Sequence, residues 1–138
     1  MSNHSIYDLG IRFAQILNGK PSIQLHGCSV TLKRNWQVKV QGRLSESVTP
    51  VGVSFEALDE KGNSLNLAEV TVIQHEIPHF IRSVVEQGLI VSALHNHWIF
   101  TEPNLMYVHI QSVEPPLDFA QKMANAFETL SSPPVKGS

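Results

Sequence analysis

A chain of 138 residues, 42% of them hydrophobic, is long enough to bury one core and short for two. A formal net charge of -2, with 16% of the residues charged, offers no basic face for a phosphate backbone, which argues against nucleic acid as a partner. No apolar run approaches the roughly 18–20 residues that cross a bilayer, and the N-terminus lacks a basic stretch followed by an apolar one; no membrane partner is expected, and a cytoplasmic location is the default.

Ile6, Leu9, Phe13, Ile16 and Leu17 recur at helical spacing, and Asn18, Gly19 and Pro21 close that segment as a helix end does. Across residues 22–43, alternation predicts one strand through Val30 and Leu32 and another through Trp36, Val38 and Val40, joined at Lys33, Arg34 and Asn35. Cys28 reads as a packed strand residue, because a single cysteine makes no intramolecular disulfide and Gly27 and Ser29 bring no activating charge. A third strand over 51–58 runs into the turn sequence DEKGN at 59–63, and a fourth covers 67–73.

Ile77, Phe80, Ile81, Val84 and Val85 mark one face of a second helix that stops at Gln87 and Gly88. Strands over 89–100 and 105–113 follow; Pro115 and Pro116 then break the sheet, and Leu117, Ala120, Met123, Ala124, Phe127 and Leu130 form a third amphipathic helix. The order predicts an α+β fold, a mostly antiparallel sheet with about three helices packed on it. It reads as one domain over 1–130 with a flexible, Pro- and Ser-rich tail at 131–138.

The chemistry concentrates in the last hairpin. Alternate strand residues share a face, so Val91, Ala93, His95, His97 and Ile99 are expected on one side and Leu94, Asn96, Trp98 and Phe100 on the other. On the partner strand, Met106, Val108 and Ile110 form an apolar set, and Tyr107, His109 and Gln111 a polar one. If both apolar sets face the core, His109 joins His95 and His97, in a register where opposed residue numbers sum to an even value, as His97 with His109 would. Three converging imidazoles suit a divalent transition metal, zinc first, and leave a fourth position for a carboxylate or water. The alternative is three half-buried histidines bonded to backbone.

Two tempting patterns carry less. His95, Asn96 and His97 spell a nuclease class by coincidence, since the lettered residues of those enzymes are not contiguous. His75 to His79 match H-E-x-x-H, but His75 and His79 project away from the apolar face of their helix, and Pro78 puts them in its first turn. Glu76 lies at the border of the buried face. It reads equally as a fourth ligand, or general base, and as an exposed first-turn acid stabilised by the helix dipole.

The run GLIVSALHNH over 88–97, followed by Pro103, Tyr107, His109 and Ile110, resembles the signature of the LppY/LpqO family of uncharacterised bacterial proteins. LNGK at 17–20, RNWQVKV at 34–40 and Glu76 fall in the order that the resemblance expects. It implies recurrence of Glu76, His95, His97 and His109, but not of His75 and His79, and so favours Glu76 as a ligand. Because many members carry two copies of the unit, it also implies that a homodimer could replace a second copy here. The family has no established activity.

Three functions follow from these residues. One is a metal-dependent enzyme, hydrolytic in type, with Tyr107 and Gln111 beside the site. Another is a module that holds a metal or a small-molecule ligand without turnover. The third is a structural domain with no ion.

Overall fold

The computed structural model describes residues 3–137. Helix α1, Asn3–Leu17, ends where the sequence predicts: Asn18 takes a positive φ of 59°, Gly19 N–H reaches the Ala14 carbonyl at 3.0 Å, and Asn18 N–H the Gln15 carbonyl at 3.2 Å. That pair of bonds is the Schellman stop. Strands β1 (Pro21–Gln24), β2 (Gly27–Lys33), β3 (Val38–Val40), β4 (Arg43–Ser45), β5 (Pro50–Glu56) and β6 (Ser64–Ile73) follow. Between β5 and β6, Asp59 Oδ1 accepts the N–H groups of Lys61 and Asn63, both at 2.9 Å. Helix α2 is Ile77–Glu86, closed by Gly88 at φ 84°. Strands β7 (Ile90–His95), β8 (Thr101–Glu102) and β9 (Leu105–Glu114), helix α3 (Pro116–Phe127) and strand β10 (Val135–Lys136) complete the order.

The main sheet runs β1-β2-β5-β6-β9-β7, with β10 also on β2, and every pairing is antiparallel. Three helices and this sheet make an α+β fold. The core lies between the helices and one face of the sheet. Phe13 and Leu17 of α1, Phe80 and Val84 of α2, and Phe119, Met123 and Phe127 of α3 cover Val30, Val53, Val70, Val108 and Ile110. Phe13 meets Phe55 edge-on at 4.9 Å. Each such side chain contributes about 1.5–3 kcal/mol by leaving water. Cys28 is buried there as expected, and burial pushes its thiol up to about 11, far from a reactive thiolate.

Three features depart from the sequence reading. The strand through Val38 does not fold back on β2: β3 joins a second sheet, β4-β3-β8, while β2 pairs with β1 and β5. The strand expected over 89–100 stops at His95, and Trp98 and Phe100 stand exposed instead of facing the core. Phe100 adopts a positive φ of 57°, which no strand continues through. The segment expected as a flexible tail is tied down, because β10 pairs Val135 with Lys33 and Lys136 with Leu32 and so covers the edge of β2.

Candidate metal centre

The sheet has one face under the helices; on the other, Val38 and Val48 cover the end at Thr71 and Tyr107, the face is open around Glu69, and register decides which side chains that open face receives. Along β6, Ala68, Val70 and Val72 go to the core, leaving Leu67, Glu69 and Thr71 on the other side. Antiparallel partners share a face, so Thr31, Gly52, Glu69, His109 and Ala93 form one row across five strands. Thr71, Tyr107 and His95 form the next.

A β-bulge brings His95 into this array. Val91 pairs with Ile110 and packs on the core, yet Ala93, two residues on, pairs with His109 on the open face. The irregularity between them supplies the odd step that strict alternation forbids. Beyond it the opposed numbers do sum to an even value, but with His95 opposite Tyr107 and Ala93 opposite His109, not His97 opposite His109. Val91 therefore does not share the histidine face.

The three histidines converge. One ring nitrogen from each of His95, His97 and His109 lies within 4.8 Å of the others. The His95 ring is 4.5 Å from that of His97 and 4.9 Å from that of His109. His97, past the end of β7, rests edge-on against the Tyr107 ring at 4.6 Å. Tyr107 is itself fixed: its Oη donates to the Val48 carbonyl at 2.7 Å, and burial raises its phenol pKa. Its hydroxyl is a structural donor rather than a proton source beside the histidines.

The donor set fits a transition ion. His109 Nε2 is buried with no hydrogen-bond partner, a costly condition for a nitrogen that has another imidazole beside it. The other buried side-chain nitrogen without a partner among the described residues is Arg34 Nε, whose guanidinium is otherwise well bonded. Imidazole nitrogens clustered in this way suit zinc, copper, iron or nickel.

Glu76 lies elsewhere in the network. Its Oε1 accepts from Arg34 Nη1 and Ile73 N–H, both at 3.0 Å; its Oε2 accepts from Arg34 Nη2 at 2.7 Å, Ser131 N–H at 2.9 Å and Ser131 Oγ at 2.7 Å. It is neither the exposed first-turn acid nor, with its lone pairs so committed, a free ligand for the histidine cluster. Burial alone would raise its carboxyl, but the Arg34 guanidinium and the bonds from Ile73 and Ser131 hold it at about 2. Trp36 stacks under Arg34, with Cζ 3.9 Å from the ring centroid. His75 and His79 are exposed, as the helix geometry predicts.

The acid on the histidine face is Glu69, which the sequence reading passed over. It sits directly opposite His109, and its Oε1 is 3.6 Å from His97 Nε2. The available signal was a charge in the period-2 strand between Ala68 and Val70, on the same parity as Thr71. A depression of about 350 Å³ beside it is lined by Ser29, Thr31, Gly52, Ser54, Ser92 and His109.

A family model described as Domain of Unknown Function (DUF1259) matches residues 11–129, so the chain belongs to that family. No curated protein and no solved structure matches it.

Proposed function

We propose that this member of a domain family of unknown function binds a divalent transition ion, zinc, through His95, His97 and His109, and that the ion serves a hydrolytic reaction. The observation that carries the reading is the convergence of three imidazole nitrogens within 4.8 Å, on a ring set in which His109 Nε2 is buried and has no hydrogen-bond partner. In a tetrahedral site with bonds of about 2.0–2.1 Å, neighbouring donors stand about 3.3 Å apart, so the set closes by up to about 1.5 Å on binding, and His97 is the exposed side chain of the three. Three imidazoles with a further position open to solvent are the donor set of catalytic rather than structural zinc. The ion would act as a Lewis acid towards a substrate oxygen. The chain's own part is to hold the imidazoles in register on β7 and β9 and to present Glu69 to the depression along Gly52.

The LppY/LpqO resemblance is the finer family reading, supported by GLIVSALHNH at 88–97. A second functional reading, a module that holds metal or a small ligand without turnover, is favoured by the commitment of the Tyr107 hydroxyl to Val48. Both are tested by dialysing the protein against Zn2+, measuring bound metal, and screening ester, amide and phosphoester substrates with and without chelator. The enzyme reading expects a chelator-sensitive activity that His97→Ala abolishes. Stoichiometric metal with no such activity supports the module, and no bound metal overturns both the enzyme and a metal-holding module.

A further inference from the structure

The position of Glu69 goes beyond the three histidines. It is the acid of the row Thr31, Gly52, Glu69, His109 and Ala93, so its Cβ and that of His109 stand about 4.5–5.5 Å apart as cross-strand partners. Its Oε1 lies 3.6 Å from His97 Nε2, close to the roughly 3.3 Å edge of a tetrahedral zinc site. Its carboxylate is about half exposed, and its other lateral neighbour, Gly52, brings no side chain to crowd it. A methyl built on Gly52 would meet nothing within 4 Å. Glu69, Thr31 and Gly52 also line both depressions that flank the histidines, one towards Ser54 and Ser92 and one towards Trp98 and Tyr107.

We propose that Glu69 is the carboxylate ligand of the ion, completing a three-histidine, one-glutamate set of four donors, with a fifth position, reached when the shell expands, open onto the depression floored by Gly52. The inference rests on the metal reading above and deepens it. A carboxylate among three neutral imidazoles leaves a divalent site with a net charge of +1. Such a site takes a small oxygen-donor ligand, water or a carboxylate, in its fifth position. Among the described residues Glu69 is the only acid lining either depression, and Glu76 is committed to Arg34, Ile73 and Ser131 instead.

The test is titration of the full chain with Zn2+ and with Co2+, on wild type, Glu69→Gln and His109→Ala. Thermal melts of the metal-free proteins should show that Glu69→Gln folds like wild type, since its side chain is about half exposed. Expected is at least a 100-fold weaker Zn2+ affinity for Glu69→Gln, beyond the 10–100-fold typical of residues that only support a ligand, together with a changed Co2+ visible spectrum. If wild type binds and Glu69→Gln binds equally well, the role given to Glu69 is overturned while the histidine site stands. Weaker binding with an unchanged Co2+ spectrum makes Glu69 a positioning residue for His97 and overturns it as a ligand. If wild type binds neither ion, the metal reading itself fails, and this inference with it.

Discussion

Two acids that precede α2, seven residues apart, have opposite fates. Glu76 is buried, accepts five hydrogen bonds and faces a guanidinium that also ties down Thr71 and Ser132. Glu69 is half exposed beside histidines, one of which has a buried nitrogen with no partner. The first region spends its polar capacity on the fold, joining the residues after β2, the start of α2 and the segment after α3. The second leaves donor atoms free at a surface. Saturation of hydrogen-bonding capacity, more than proximity in sequence to the histidines, separates the buried, fully bonded carboxylate from the one proposed as a ligand.

The comparison breaks first at the Arg34–Glu76 pair. Glu76→Gln leaves a buried guanidinium without its counter-charge and should lower stability by about 3–5 kcal/mol in urea denaturation. A loss below about 1 kcal/mol, accompanied by loss of bound metal, would return Glu76 to the site. Acid probes the same pair. The folded carboxyl titrates at about 2 and the unfolded one at 4.5, so its stabilising contribution is complete above pH 4.5 and disappears as the pH falls towards 2. Urea midpoints of wild type should fall through that window by more than those of Glu76→Gln.

The histidine face should respond to metal instead. Zn2+ at 100 times its dissociation constant should add about 2.7 kcal/mol of stability to wild type and nothing to His109→Ala. Tyr107→Phe, which removes the hydrogen bond to Val48, should cost about 1 kcal/mol and leave Zn2+ affinity within a factor of a few. A large affinity loss there would mean that the phenol serves the site directly.

Much of the fold was legible where local chemistry decides it: the stop at Asn18 and Gly19, the Asp59 turn, the amphipathic faces of α2 and α3, and Pro116 opening the last helix. Long-range pairing was not. Nothing local in RNWQVKV at 34–40 says that Val38 pairs with Arg43–Ser45 and Thr101–Glu102 rather than with β2. The meeting of the three histidines could be read from parity, but the way they meet could not. The bulge after Val91 lies in a run of ordinary strand residues, and it moves the pairing so that His95 faces Tyr107. The burial of Glu76 was not legible because its partner, Arg34, is 42 residues away, and a buried ion pair between distant elements leaves no spacing to read. Glu69 could have been found by asking why a strand otherwise apolar on alternate positions carries a charge.

The central claim is that His95, His97 and His109 form a metal site on the open face of the sheet. It is tested most directly by elemental analysis of the chain after equilibration with Zn2+ and exhaustive dialysis, alongside His109→Ala treated identically. One ion per wild-type chain and none per His109→Ala chain is the predicted result; an empty wild type, or equal occupancy in the two, would contradict it.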